Sequence, residues 1–287
     1  MNKIFIVTET GSDLSKEEIN PYNIKIVPMH VTMDGENLND GEFDPNLIFE
    51  YYHKNNKLPT TSATNPNEYL DAFMDIRQHY PDAKILHLCY SAITTSTWQN
   101  AHIASEGLDY VYHIDTKAVS AMLGTIVLKI ADYIKDNPTK AIEEVIEKSN
   151  EIIDKSHMAF IPHNLDFLRA GGRVSNASYL GATLLKLRPV IEIVDGKLIC
   201  TEKVRGSMNL ATKKLVRNYL DKYQFEKESF FMINGHHLNN QIKEMAIDIA
   251  KSYGYEKIRW VNTGCVIATH GGPGSFGIGG ILLNKKN

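Results

Sequence analysis

The chain has 287 residues, of which 43% are hydrophobic and 23% are charged, so disordered and fibrous classes are excluded. Its length allows one large domain or two moderate ones, each able to bury a core. The formal net charge of −3 argues against a protein that coats nucleic acid, and no nucleic-acid partner is expected.

The N-terminal sequence MNKIFIVTETGSD has one lysine and a four-residue apolar run, which is too short for a secretory signal. The apolar stretches elsewhere have the length of strands and fall short of the roughly 20 residues that span a bilayer. We therefore expect a cytoplasmic protein. The cysteines Cys89, Cys200 and Cys265 form no CxxC pair, and we interpret them as buried apolar residues.

Strands and helices alternate over the first 155 residues. The pattern predicts strands at residues 3–7, 24–33, 84–90 and 110–114, and helices at residues 45–55, 66–80, 117–135 and 139–155. Asp44 and Asn65 each precede a proline, which is typical of a helix start. This alternation predicts a mainly parallel sheet flanked by helices.

Antiparallel pairing is predicted from residue 157 onward. The elements expected there are strands at 157–161, 229–234 and 257–262, a hairpin at 189–201, a closing apolar hairpin at 264–283, and helices at 179–187, 210–223 and 239–253. The first hairpin turns at Asp195-Gly196, a dipeptide that two-residue turns favour. We predict two α/β domains, residues 1–156 with a mainly parallel sheet and residues 157–287 with a mixed sheet. A crevice between two such domains is a common ligand site.

The glycine-rich segment THGGPGSFG near the C-terminus contains the spacing GxGxxG. A dinucleotide-binding fingerprint opens a helix and is followed about 20 residues later by an acidic residue, but only ten residues follow Gly277. We therefore interpret the glycines as a tight loop between two strands. His270, at a predicted strand end beside this loop, either has a structural role or donates to an anion.

Two hydroxyl-rich loops precede predicted helices, TTSAT at residues 60–64 and SAITTST at residues 91–97. The amide groups at a helix N-terminus attract a carboxylate or a phosphate, and ligands commonly bind at the carboxyl edge of a parallel sheet. The same hydroxyls are also typical helix caps. Both interpretations stay open at this point.

Motifs of several enzyme classes do not occur in the sequence, which lacks GxSxG, HExxH, GxxxxGK[ST] and the kinase motif set. His236-His237 has no partner at metal-ligand spacing, so we expect no metal and no cofactor. The predicted apolar helix at residues 179–187 is either core or an apolar flap suited to a lipid or a membrane surface.

Taken together, these segments resemble the DegV family, the fatty-acid-binding subunits of bacterial fatty-acid kinases. The resemblance runs nearly end to end and rests on TETGSDLS, TTSATNP, YSAITTSTWQNA, IDTKAVSAMLG, LDFLRAGGRVS, PVIEIVDGKL and CVIATHGGPGSFGIG. It implies a two-domain, non-enzymatic carrier that holds a fatty acid between its domains. It also implies a separate ATP-binding kinase subunit that phosphorylates the bound carboxylate to an acyl phosphate.

The resemblance further implies which residues contact the ligand, the membrane or the partner. The groups that correspond to contacts of the fatty-acid carboxylate are hydroxyls and one imidazole, namely Thr61, Ser62, Ser91, Thr95 and His270. Such donors bind a carboxylate without burying a full cation. Arg173 and Arg205 correspond to basic residues associated with ligand release, transient contact with a membrane surface or engagement of the partner kinase.

Two other functions stay open beside the lipid carrier. A phosphotransferase or other transferase acting on a small anionic metabolite would need His270 as acceptor or base. A binding protein for a non-lipid anion would need a small polar pocket instead of a long apolar one. The second hydroxyl-rich segment departs from the family pattern, close to SSxLSGTY, at Ala92 and Ser96, and these differences concern the ligand headgroup more than the fold.

Overall fold

The computed structural model describes residues 3–163, 165–175 and 187–284, which contain 13 strands and ten α-helices. The strands are β1 (Ile4–Glu9), β2 (Ile24–Val27), β3 (His30–Met33), β4 (Glu36–Asn39), β5 (Thr60–Ser62), β6 (Lys84–Cys89), β7 (Val111–Asp115), β8 (Ser156–Ile161), β9 (Leu187–Val194), β10 (Lys197–Arg205), β11 (Phe231–Gly235), β12 (Arg259–Asn262) and β13 (Ser275–Ile281). The helices are α1 (Lys16–Ile19), α2 (Asn46–Asn55), α3 (Pro66–His79), α4 (Thr97–Ala104), α5 (Ser120–Asp136), α6 (Ile142–Asp154), α7 (Leu165–Gly171), α8 (Met208–Lys222), α9 (Asn240–Ser252) and α10 (Cys265–Gly271).

The predicted α/β fold with a parallel and a mixed sheet is confirmed. The first half of the chain contains a four-stranded sheet in the order β2-β1-β6-β7, in which every neighbouring pair is parallel. All six residues of β1 are buried, as expected for a parallel sheet covered on both faces. The second half contains a six-stranded sheet in the order β10-β9-β8-β13-β11-β12, in which β11 and β12 are parallel and the other pairs are antiparallel.

The strand predicted at residues 24–33 is two strands that belong to different sheets. Pro28 lies between β2 and β3, and a proline has no N–H to offer to a sheet ladder. β3 pairs with β4 and with β5 in a small antiparallel sheet. The first hydroxyl-rich segment, predicted as a loop, therefore begins as an edge strand, and Thr61 pairs with Val31 of β3.

The closing hairpin predicted at residues 264–283 is wrong in its first half. Residues 265–271 form helix α10, and the second half forms one strand, β13, in the interior of the six-stranded sheet. His270 consequently lies in the last turn of a helix instead of at a strand end. The apolar run at residues 265–268 is only four residues long and contains β-branched side chains, so its periodicity does not distinguish a helix from a strand, which explains the error.

The halves share one continuous core. The largest cluster of buried apolar residues contains Ile6 and Leu88 from the parallel sheet together with Ile191 and Phe231 from the mixed sheet. The domain boundary at residue 156 stays a prediction; the first strand of the mixed sheet begins there. Cys89, Cys200 and Cys265 are buried, as expected.

Most of the apolar helix predicted at residues 179–187 lies outside the described residues, and Leu187 is the first residue of β9. The helix start predicted at Asn65 is confirmed, whereas α2 begins at Asn46, one residue later than predicted, with Pro45 instead of Asp44 at its N-cap position. The Asn65 side chain accepts hydrogen bonds from two amides of the first turn of α3, and Asp44 accepts one from Asn46 at the start of α2. Within the described ranges, no helix combines the length and the apolar character that crossing a membrane requires.

Candidate functional site

A cavity with a largely apolar wall lies where the two halves of the chain meet. It encloses about 870 Å³ free of protein atoms, a volume that includes its opening to solvent. The apolar lining residues come from both halves and include Met29, Val119, Met158, Phe160, Leu198 and Ile233. The position of this cavity agrees with the predicted crevice.

Polar side chains line the cavity beside the apolar ones. Thr61 Oγ1 and His270 Nε2 lie 2.8 Å apart, so the hydroxyl of the edge strand β5 meets the imidazole of α10. Ser62 and Thr95 also line the cavity. Four of the five residues that the family resemblance implies as carboxylate contacts therefore line one cavity: Thr61, Ser62, Thr95 and His270.

The pair of Thr61 and His270 retains one hydrogen-bond donor in either tautomer of the imidazole. If the Thr61 hydroxyl donates to Nε2, the proton of the neutral ring is on Nδ1. If Nε2–H donates to Thr61 Oγ1, the hydroxyl hydrogen of Thr61 is free. Within the described residues His270 Nδ1 has no hydrogen-bond partner. Because Nδ1 is enclosed beside Gly171, the neutral donor available to an anion in the cavity is the Thr61 hydroxyl, in the tautomer in which Nε2–H donates to Thr61 Oγ1.

His270 is held in its uncharged form. Burial, with a further contribution from the positive charge of Arg173, lowers the pKa of the imidazole to about 4. The ring packs closely on the end of α7, where a Cβ on Gly171 would lie 2.3 Å from His270 Nδ1. Only glycine fits at that position, so the segment Gly171-Gly172-Arg173 is shaped around the imidazole.

Arg173 lines the same cavity, although the sequence associates it with ligand release or with a partner or membrane surface. Its Nη1 donates to the carbonyl oxygen of Gly171 at 2.5 Å. Gly172 ends α7 with a left-handed φ of +63°, which turns the chain just before Arg173. Arg173 is thus a cationic group next to the polar wall, a placement that its sequence position alone does not indicate.

Ser91 and Arg205 do not line the cavity. The Ser91 hydroxyl is buried and donates to the carbonyl oxygen of Gly196 at 2.7 Å, which joins the loop after β6 to the β9–β10 turn. Arg205 is exposed at the end of β10. Ser91 therefore connects the two halves of the chain, and Arg205 lies on an outer surface.

One group of His, Cys, Asp and Glu side chains within the described ranges has ligand atoms close enough together to hold a metal ion: Glu9, His87 and Cys89. His87 Nε2 is 2.7 Å from Glu9 Oε1, and Tyr69 and the amide of Tyr90 donate to the same carboxylate. Burial raises the pKa of Glu9, but His87 and these hydrogen bonds together lower it below its usual value. The three side chains are already bonded within the fold, and they lie outside the cavity lining.

The fold and the cavity define an α/β protein that can take a ligand between the two halves of its chain. A family model described as an uncharacterised protein of the DegV family matches residues 3–282. A DegV domain-containing protein of Staphylococcus aureus strain COL is 30% identical to this chain over 287 residues. The alignment covers 96% of each protein. The chain belongs to the DegV family, as its sequence motifs indicate.

Solved structures of the same family have the same fold. A fatty-acid-binding DegV family protein of Thermus thermophilus superposes with a TM-score of 0.86 at 24% identity, covering 98% of this chain and all of that one. A fatty-acid-binding DegV family protein of Streptococcus agalactiae superposes with a TM-score of 0.84 at 24% identity, over the full length of both chains. A DegV lipid-binding protein of Thermotoga maritima superposes with a TM-score of 0.83 at 25% identity, and the superposition covers 99% of this chain and all of that one.

Proposed function

We propose that the protein binds one fatty acid in the cavity, with the acyl chain along the apolar wall and the carboxylate beside Thr61 and His270. The observation that carries this proposal is an apolar cavity with a neutral donor pair and a cationic side chain, Arg173, on its wall. The relatives described as fatty-acid-binding support the same ligand class.

The polar groups suit a carboxylate. Hydroxyl and imidazole donors bind an anion without an obligatory buried cation, and Arg173 adds attraction that solvent screens only partly. Because His270 is uncharged near neutral pH, it contributes a hydrogen bond and not an ion pair. We propose Thr61, Ser62, Thr95 and His270 as the carboxylate-binding residues and add Arg173 to this set.

The apolar wall suits an acyl chain. Removing each methylene from water contributes roughly 0.8 kcal/mol, so a chain of ordinary length gains affinity mainly from its tail. A small polar anion would gain nothing from side chains such as Met29, Phe160 and Ile233. The apolar character of the lining therefore favours a lipid over the small-anion alternatives.

Native mass spectrometry of the purified protein, followed by solvent extraction, tests the ligand class. We expect an excess mass equal to a fatty acid, which extraction removes and incubation with free fatty acids restores. An unliganded mass with no shift after that incubation would contradict the proposal. In that event, turnover of a small anion by the isolated chain, or phosphohistidine at His270, would favour a transferase.

We further propose that a separate ATP-binding kinase subunit acts on the bound fatty acid. A carboxylate oxygen would attack the γ-phosphorus of ATP, the bond from that phosphorus to the ADP oxygen would break, and an acyl phosphate and ADP would form. Ser62 and Arg173 are both exposed while lining the cavity, so a second protein has access to the polar wall. This arrangement supports a carrier that presents its ligand to a partner.

Trapping with hydroxylamine, which converts an acyl phosphate to a hydroxamate, tests the partnership. The fatty-acid-loaded protein is incubated with ATP alone and with ATP plus a purified bacterial fatty-acid kinase subunit. We expect hydroxamate only when the kinase is present. Hydroxamate formed with ATP alone would instead make this chain an enzyme, and none in either reaction would contradict the partnership.

We also propose a transient contact with a membrane surface through Arg205. Its side chain is exposed, and Leu210, which is 42% exposed, lies nearby, since a Cβ on Gly206 would be 2.8 Å from Leu210 Cδ2. A cation beside an exposed leucine suits the interface of an anionic bilayer, where charge attraction and apolar insertion act together. This contact would let a carrier collect or release its lipid.

A further inference from the structure

Helix α10, which carries His270 near its C-terminal end, has no capping side chain of its own. Gly264 occupies the N-cap position and makes no side-chain hydrogen bond. Two carboxylates from the first half of the chain instead accept hydrogen bonds from the amides at the start of the helix. Asp13 Oδ1 is 2.7 Å from the amide nitrogen of Gly264, and Asp40 Oδ1 is 2.7 Å from that of Cys265. Residues more than 200 positions away therefore cap this helix.

Gly264 occupies a narrow space between the two carboxylates. A Cβ at this position would lie 3.0 Å from Asp40 Oδ1 and 3.2 Å from Asp13 Oδ1. The φ of Gly264 is −70°, a value that any residue adopts, so a side chain here is disfavoured by the close carboxylates and not by backbone conformation. The two acids consequently approach the same backbone position from different segments.

The backbone is strained at Asp13, whose side chain contacts the start of α10. Asp13 has a left-handed φ of +53°, and Ser120, whose Oγ donates to Asp13 Oδ2 at 2.5 Å, has a φ of +54°. Non-glycine residues adopt this region at a cost, and the surrounding structure must hold them there. Ser120 also lines the cavity, so the strained pair connects the start of α10 with the ligand site.

The pKa values of Asp13 and Asp40 are both raised above the usual value for an aspartate. Burial, with a contribution from Asp40, raises the pKa of Asp13 to about 7, although Ser120, the amide of Gly264 and Arg259 oppose the shift. Burial also raises the pKa of Asp40, against the hydrogen bonds that it accepts. Arg259 already binds Glu18 and Thr125. Both shifts favour the protonated carboxyl, and Asp13 titrates close to neutral pH.

We infer that Asp13 and Asp40 are positioning residues of the headgroup site, which fix the first turn of α10 and thereby hold His270 beside Thr61. The inference rests on the proposed function, because it assigns the pair a role in binding the fatty-acid carboxylate. Helix α10 has only seven residues, so a displacement of its first turn is carried to His270 as a movement of one short rigid element.

Cys265 allows the position of the first turn to be measured without any ligand. It is the first residue of α10, is 1% exposed, and its amide is the group that Asp40 holds. The variant Asp40→Ala removes both acceptor oxygens, whereas Asp40→Asn keeps one. Thiol labelling, assigned to each cysteine by mass spectrometry, compares Cys265 with the buried Cys89 and Cys200 as internal references.

We expect Asp40→Ala to label Cys265 at least roughly tenfold faster relative to both references, because local opening costs less free energy than global unfolding. The same variant should bind fatty acid at least about tenfold more weakly, and Asp40→Asn should restore both properties to within about threefold of the wild type. Asp13→Ala and Asp13→Asn should behave in the same way.

Protection of Cys265 that is unchanged in both alanine variants would overturn the inference, as would rapid labelling of Cys265 with unchanged fatty-acid affinity. Uniform faster labelling of Cys89, Cys200 and Cys265 would also overturn it, because the carboxylates would then stabilise the whole fold. A wild-type protein that binds no fatty acid would refute the proposed function, whereas labelling of Cys265 would still report on α10.

Discussion

Thr61 Oγ1 and His270 Nε2 lie 2.8 Å apart although 209 residues separate them in the chain. Thr61 is held by the pairing of β5 with β3 in the first half, and His270 by helix α10 in the second. The contact therefore exists only while the two halves are correctly packed. Any displacement between them alters the donor pair and the cavity together.

Replacing His270 by alanine should weaken fatty-acid binding by roughly 10- to 100-fold, because a hydrogen bond to a charged group contributes about 1.5–3 kcal/mol. Isothermal titration with a fatty acid measures the change. The matched control is His79→Ala, since His79 is exposed near the end of α3 and does not line the cavity. Equal affinities of the two variants would remove His270 from the site.

Replacing Arg173 by glutamine should raise the pKa of His270 above its value of about 4, because the positive charge of Arg173 opposes protonation of the ring. The pKa should remain below the usual histidine value, since burial is the larger cause and persists. NMR titration of the His270 ring carbons gives the pKa directly. Arg205→Gln is the control, because Arg205 does not line the cavity; the same shift in both variants would contradict this account.

The contribution of Asp13 to stability should fall as the pH rises from about 4 to about 7, whereas His270, whose pKa is lowered to about 4, contributes with the opposite sign over this interval. The pKa of Asp13 is about 7 in the folded chain and 3.8 as the ordinary value, so at this group the folded state binds more protons over this interval. The stabilisation is complete below the ordinary pKa and is lost as the pH passes the folded one. Denaturant unfolding at several pH values measures the free energy of unfolding of the wild type and of Asp13→Asn, and relative to the wild type the variant should gain stability as the pH rises from about 4 to about 7. The same pH dependence in both proteins would exclude a contribution from Asp13.

Much of the fold was predictable from the sequence, because it depends on local patterns. Asn65 followed by a proline marks the start of α3, and Asp195-Gly196 marks a hairpin turn. Helix α10 was not predictable, since its cap comes from Asp13 and Asp40 and no local residue indicates it. Long-range contacts of this kind leave no periodic signal in the sequence.

The same distinction applies to the site. The hydroxyls and His270 were predicted through family motifs and stay predictions as carboxylate contacts, while the positions of Ser91 and Arg173 could not be inferred from a motif. Ser91 donates to Gly196, whereas Arg173 lines the cavity. Both placements depend on how the second half of the chain packs against the first, which becomes visible only in three dimensions.

Replacing Gly264 by alanine should destabilise the fold by about 1–3 kcal/mol, because the new methyl group is forced between two carboxylates in a packed region. The control is Gly271→Ala at the other end of α10, where a Cβ would meet only Ser275 Oγ at an ordinary 3.5 Å. Denaturant unfolding measures both free energies. An equal loss of unfolding free energy in both variants would mean that alanine destabilises either end of the helix, independently of the carboxylates.

Replacing Arg205 by glutamine should weaken binding to vesicles of phosphatidylglycerol, because each basic residue near an anionic surface contributes about 1 kcal/mol. Co-sedimentation with phosphatidylglycerol vesicles and with phosphatidylcholine vesicles separates this charge effect from general adsorption. Arg217→Gln, at an exposed position on α8, removes the same charge from another surface and serves as the control. We expect a roughly fivefold loss for Arg205→Gln on the anionic vesicles alone, which added salt should abolish. An equal loss for Arg217→Gln would show that net charge, and not the surface around Arg205 and Leu210, governs the contact.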